Sequence, residues 1–189
     1  MPIPEFNIDG VLPPFVGAGP ADPTGISPYP ASAQEVVATF SGSEGRRDIL
    51  RGWLRHRIAL RALGFDRGFQ WLDGSFVEDK EPRDLDVVSF VHYPLGLNAE
   101  QVAGMMREHR SIFSPGGAKA EYALDAYFVA LDGPPQEIVN LTRYWSGLFS
   151  HRRGDLLWKG MLQVRLENAE DDAAALLILG AEPVGQPGN

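Results

Sequence analysis

The sequence predicts an α+β fold, a mixed β-sheet flanked by helices behind an extended, proline-rich N-terminal arm. Three observations carry this expectation. Residues 1–30 hold eight of the fifteen prolines, and proline neither continues a helix nor pairs inside a central strand. Two stretches of helical period follow, and beyond them strand-like and helix-like stretches alternate. The 189 residues, 44% hydrophobic and 22% charged, have the size and composition of one globular domain.

Taken in order, the arm spans residues 1–30. Phe6, Ile8, Val11, Leu12 and Phe15 give it enough apolar surface to lie against the domain, expected over 31–180. Ser32-Ala-Gln-Glu35 is a capping box that opens a short helix to about Phe40. A second helix is expected from about Glu44 to Leu63, where Ile49, Leu50, Trp53, Leu54, Ile58 and Leu60 recur at helical spacing and Gly64 terminates it. Phe69 to Asp73 reads as a short strand ending at Gly74, and Leu85 to Val91 as a second one rich in Val and Phe. Asn98 to about Phe113 reads as one helix, Ser114-Pro-Gly-Gly117 as a turn, and Ala118 to Leu131 as one long strand. Pro134 and Pro135 open a helix to about Phe149, a strand alternates toward Leu166, and a last helix runs from about Ala169 to Gly180. The tail, 181–189, is expected to be flexible.

Composition narrows the chemistry. With no cysteine, the chain has no disulfide, thiolate metal site or cysteine nucleophile. Its net charge of -8 disfavours non-specific nucleic-acid binding. Arg46, Arg47, Arg51, Arg55, Arg57 and Arg61 nevertheless crowd one segment, and His151, Arg152 and Arg153 another. These read first as solvated faces and second as a local surface for an anionic ligand. The first residues show no basic stretch followed by an apolar run, and the apolar run Ala173–Leu179 is too short to cross a bilayer. A cytoplasmic protein with no membrane partner is expected. His56, His92, His109 and His151 show no metal-ligand spacing and read as surface or partly buried.

The segment from Trp71 to Val88 concentrates the chemistry. Asp84 and Asp86 stand two apart at a strand, so both carboxylates share one face while Leu85 and Val87 point into the core. Two adjacent carboxylates repel unless a cation lies between them, and a hard divalent ion with oxygen ligands meets that need. Gly74 allows close backbone approach to a ligand, and Ser75 adds a hydroxyl for a phosphate oxygen. Asp125, an acid within a strand-like run, is the candidate third carboxylate. Lys80, between the two motifs, can reach a phosphate. Lys159 and Arg153 are secondary candidates for the same pocket, and Asp73 is either a fourth acid or a turn cap. Tyr144, Trp145 and Phe149 stand at helical spacing and read as core.

Gly74-Ser75, a spacer over residues 76–83, Asp84-x-Asp86 and a later strand Asp125 together resemble the DNA-polymerase-β-like nucleotidyltransferase superfamily. Ile3-Pro-Glu-Phe-Asn7, Gly10-Val-Leu-Pro-Pro14 and Asp73-Gly-Ser-Phe-Val77 look like a bacterial branch of it, the DUF6932-type proteins. The resemblance implies a nucleotidyltransferase-like sheet with Mg²⁺ or Mn²⁺ held by Asp84, Asp86 and Asp125. It implies an NTP whose phosphates lie on Gly74, Ser75 and Lys80, with attack at the α-phosphorus by a hydroxyl of an RNA, a protein or a small molecule. By analogy the chain fits a toxin or defence component. Phe76-Val77-Glu78 stand where many members carry a glycine-rich turn. The alternative from another class is a non-catalytic, antitoxin-like binding or regulatory subunit with a companion protein.

Overall fold

The structure, a computed structural model, describes residues 2–180. The expected flexible tail lies outside the described residues. The capping box forms as read: Ser32 Oγ accepts from the Glu35 amide, and the Glu35 carboxylate accepts from the Ser32 amide, opening α1 (Ala33–Phe40). Ser43 caps α2 (Glu44–Ala62). The strands β2 (Gly68–Asp73) and β3 (Leu85–Val91) are joined through a 3₁₀ turn over Gly74–Val77. Next come α3 (Ala99–Glu108), the short α4 (Arg110–Phe113), α5 (Pro115–Tyr122) and β4 (Leu124–Ala130). The chain then forms α6 (Pro135–Phe149), β5 (Leu162–Arg165) and α7 (Ala169–Ile178).

Two expectations fail between 98 and 131. The helix opened by Asn98 breaks at His109 rather than running on to Phe113. The expected turn at 114–117 and the first part of the expected long strand are α5. Ser114 accepts from the Gly117 amide as an N-cap, and Pro115 occupies the first helical turn, where its missing N–H costs nothing. The helix stops at Ala123, whose left-handed φ of 59° turns the chain into β4.

The five strands lie in the order β1-β5-β2-β3-β4, with β1 (Tyr29–Ala31) contributed by the arm. β1 runs parallel to β5 and β4 parallel to β3, while β2 is antiparallel to both its neighbours. Pro30 is tolerated because β1 is an edge strand. The arm is built into the core, with Val11, Leu12 and Tyr29 buried, and it folds through turns at 7–10 and 17–25 rather than running extended throughout. The Tyr29 hydroxyl donates to the Pro13 carbonyl at 2.7 Å, and the Gly10 carbonyl accepts from the Asp79 amide at 2.8 Å.

One sheet face carries Leu72, Leu85, Val87, Leu124 and Ala126 and packs on α1, α2, α5 and α7 through Val37, Trp53, Ala118 and Leu176. Each such large aliphatic or aromatic side chain contributes roughly 1.5–3 kcal/mol by leaving water. The other face carries Trp71, Val88, Phe90 and Val129 and is covered by Trp145 and Phe149 of α6. Those two are core, as read, while Tyr144 is 56% exposed. The arginines of α2 divide. Arg47 and Arg55 are solvated, but Arg46 and Arg57 are buried, correcting the reading of the cluster as a solvated face. No described helix is long and apolar enough to cross a membrane.

Candidate functional site

Sheet register builds the site. Asp73 at the end of β2 pairs with Asp86 of β3, and Asp86 pairs with Asp125 of β4. Paired residues project on the same side, so three carboxylates form a row across three strands. Asp84, two residues before Asp86, adds a fourth at the same end. The row belongs to the face covered by α6, since Val88, Phe90, Trp71 and Val129 continue its alternation.

Gly74, Ser75, Lys80, Asp84, Asp86 and Asp125 all line one cavity of about 310 Å³. Gly74 has a φ of +78°, and a Cβ there would meet Asp86 Oδ2 at 1.9 Å. Both facts require glycine. Phe76 and Val77 point down into the main core, so the turn after Ser75 is anchored by apolar burial rather than by further glycines. Two buried cations brace it. From α2, the Arg46 guanidinium donates to the carbonyls of Phe76, Glu78 and Lys80 at 2.7–2.8 Å. From the strand side, Lys159, 2% exposed, donates to the Gly74 carbonyl at 2.9 Å and to Glu78 Oε1 at 3.2 Å. Lys159 also stands 3.1 Å from Asp73 Oδ1, which has no hydrogen-bonding partner among the described residues.

The acids differ in environment. Burial pushes the Asp73 carboxyl up to about 7, against the pull of Lys159 and the Gly74 amide. Burial also raises Asp86, and the charges of Asp84 and Asp125 add to it. Asp86 has no ion pair among the described residues; Arg153 and Lys159 only moderate its field. Asp84 and Asp125 share a cation from the chain itself. Lys119 of α5 donates to Asp84 Oδ2 at 2.7 Å and to both oxygens of Asp125 at 3.0 and 3.1 Å. Those hydrogen bonds hold the ammonium well above its ordinary value. Lys80, beyond the acids, pairs with Glu78. His151, Arg152 and Arg153 close the cavity from the segment after α6.

The sequence does not single out Lys119, because it lies in the expected strand from Ala118 to Leu131. The signal available was Ser114-Pro115, an N-cap followed by a first-turn proline. Lys159 and Asp73, both secondary candidates, are at the site as a buried pair. Reading all four histidines as surface or partly buried also fails, since His56 is fully buried.

The row offers the kind of donor atom that a hard divalent cation takes. The donors are carboxylate oxygens, the preference of Mg²⁺ and Mn²⁺, and Asp86 is a half-buried acid without a counter-ion. Among the described residues no three His, Asp or Glu side chains converge as a ligand set. Lys119 stands between two of the three acids, with its side chain 53% exposed.

A family model described as a family of unknown function, DUF6932, matches residues 4–165. The chain belongs to the DUF6932 family. The match takes in the arm, the row of acids, the Gly74-Ser75 turn and Lys159, so every part of the cavity lies within the DUF6932 region. No curated protein and no solved structure matches the chain significantly.

Proposed function

We propose that this DUF6932 protein is a metal-dependent nucleotidyltransferase that moves a nucleoside monophosphate from an NTP to a hydroxyl acceptor. The observation that carries the reading is the meeting of Asp84, Asp86 and Asp125 with Gly74, Ser75 and Lys80 in one cavity. Mg²⁺ or Mn²⁺ held by the three acids would neutralise phosphate charge and make the acceptor hydroxyl more acidic. The remaining work falls to the chain. The Ser75 hydroxyl donates to a phosphate oxygen, and Lys80 and Arg153 offset the charge of the terminal phosphates. Asp125 receives the hydroxyl proton. The acceptor oxygen bonds to the α-phosphorus, the bond from that phosphorus to the bridging oxygen breaks, and pyrophosphate leaves with the electron pair. Lys159 and Arg46 keep the turn rigid, so little reorganisation is needed when the phosphates arrive.

The ion pairs of Lys119 with Asp84 and Asp125 favour a second reading, a regulatory subunit whose acids are neutralised from within. One experiment separates the two. Each NTP is titrated calorimetrically and by thermal shift, with and without Mg²⁺, against the wild type and Asp84→Ala/Asp86→Ala. The enzyme reading expects metal-dependent binding that raises Tm by mass action and is lost in the folded variant. A folded wild type that binds no NTP in the presence of Mg²⁺ overturns it and leaves the regulatory reading.

A further inference from the structure

A second cavity, about 660 Å³, shares Lys119 with the first. Its wall is formed by α2, by the residues just before Asp84, and by the end of α5. Arg51, Arg55, Arg83 and Lys119 contribute four cations to the lining, against Asp48 and Glu121. Arg51 is committed, pairing with Glu44 at 2.8 Å and Asp48 at 2.7 Å. Arg55 and Arg83 are exposed and make no ion pair among the described residues. A protein of net charge -8 thus keeps two guanidinium groups without an ion pair in a concave site, where Arg55 makes only a long bond, 3.5 Å, to the Glu121 carbonyl. Guanidinium groups bind phosphate oxygens through paired, charge-assisted hydrogen bonds. The volume suits a small phosphate ester or the last residues of a strand.

Lys119 lines both cavities. Its ammonium lies 2.7 Å from Asp84 and 3.0 Å from Asp125, so a ligand reaching Lys119 from the second cavity meets the acids directly. Arg83, which lines the second cavity, is the chain neighbour of Asp84, which lines the first. A phosphate beside Lys119 also gives the ammonium an alternative partner, which frees Asp84 and Asp125 for a divalent ion.

We propose that the second cavity is the acceptor site, and that the acceptor is a hydroxyl compound carrying phosphate, anchored by Arg55 and Arg83 and presented to the acids at Lys119. The inference rests on the nucleotidyl-transfer reading for the role of the ligand, while the anion site itself rests on the cavity alone. The ligand's phosphate comes either from a small sugar phosphate or from the end of an RNA strand. The acidic body disfavours long nucleic acid outside this local patch.

The test uses the full chain and three probes: inorganic phosphate, ribose 5-phosphate and a single-stranded RNA hexamer. Each is titrated calorimetrically against the wild type and Arg55→Ala/Arg83→Ala, with the NTP and Mg²⁺ titration in parallel. Thermal melting checks that the variant is folded, which the exposure of both arginines favours. The expected result is binding of at least one probe, weakened about tenfold or more in the variant, while NTP binding is retained. Preference for ribose 5-phosphate identifies a small ester, and preference for the hexamer an RNA end. Wild-type protein that binds no probe, or a variant that binds as the wild type does, overturns the site while leaving the NTP reading intact. Probe binding through Arg55 and Arg83 in a protein that binds no NTP overturns the acceptor role together with the proposed activity.

Discussion

At Gly74 a single missing Cβ shapes the site. Its φ of +78° is one that alanine adopts at a cost of roughly 1 kcal/mol, and the added methyl would fall 1.9 Å from Asp86 Oδ2. The carboxylate is the end of a side chain and can rotate away, so Gly74→Ala is expected to fold. Rotation removes Asp86 from the row of acids, so metal-dependent NTP binding should fall by about tenfold or more with a loss in Tm of only a few degrees. Calorimetry beside a melting curve tests this; unchanged binding would mean that Asp86 is not a ligand. Much of this site was legible in the sequence, because period-two alternation placed Asp84 and Asp86 together and because a strand ending in Gly-Ser announces a turn. Less legible is the set of cations: the sequence offers Lys159 only as a secondary candidate and singles out neither Lys119 nor Arg46 for the site. Arg46 and Lys159 reach the turn from 30 and 85 residues away, and Lys119 reaches Asp84 from 35; nothing local in a lysine or arginine says where its end will rest.

Elements were read well where periodicity and caps agreed, as in α1, α2, β3 and α6, and badly where they competed. In α5 the glycines at 116 and 117 and the alternation of Tyr122, Leu124, Ala126 and Phe128 outweighed a sound N-cap. The helix survives its two glycines because packing decides: a Cβ on Gly117 would strike the Arg110 carbonyl at 2.2 Å, and one on Gly52 the Tyr122 carbonyl at 2.1 Å. The docking of α7 on α2 was equally hidden. Asp172 of α7, fully buried, bonds the Arg57 Nε at 2.9 Å and pairs with Arg61 at 2.6 Å, while Asp171 accepts from the first amides of α1. Asp172→Ala leaves the Arg57 guanidinium buried with only Gln70 and the Arg165 carbonyl as acceptors. Urea unfolding should show a loss of about 3–5 kcal/mol, and Arg57→Met/Asp172→Leu should recover a large part of it. A loss under about 1 kcal/mol for Asp172→Ala would mean that the pair is solvated.

The whole molecule should report its burial pattern through pH. His56 of α2 lies between Tyr122 and Phe128, with Nε2 3.1 Å from the Ile112 carbonyl and Nδ1 without a partner. Burial is the main cause that lowers it from 6.5 to about 4, outweighing the bond to Ile112. The neutral ring donates from Nε2, and a second proton would put charge in the core with no acceptor at Nδ1. Between those two values the unfolded chain binds the proton and the folded chain does not. The stability from His56 is therefore complete above about pH 6.5 and lost as pH falls toward 4, by about 3 kcal/mol. Asp73 acts in the opposite sense. Its folded value, raised to about 7, means that the folded chain holds the proton more tightly, and stability is lost as pH rises from about 4 to 7. The raw stability curve mixes the two effects, so the useful quantity is the difference between the wild type and His56→Gln, whose amide can still donate to Ile112. Above about pH 6.5 that difference should be flat, and from there to pH 4 it should move by about 3 kcal/mol against the wild type. A difference that stays level across the range would place His56 in contact with water, contrary to the packing of α2 against α4 and β4 on which this half of the core depends.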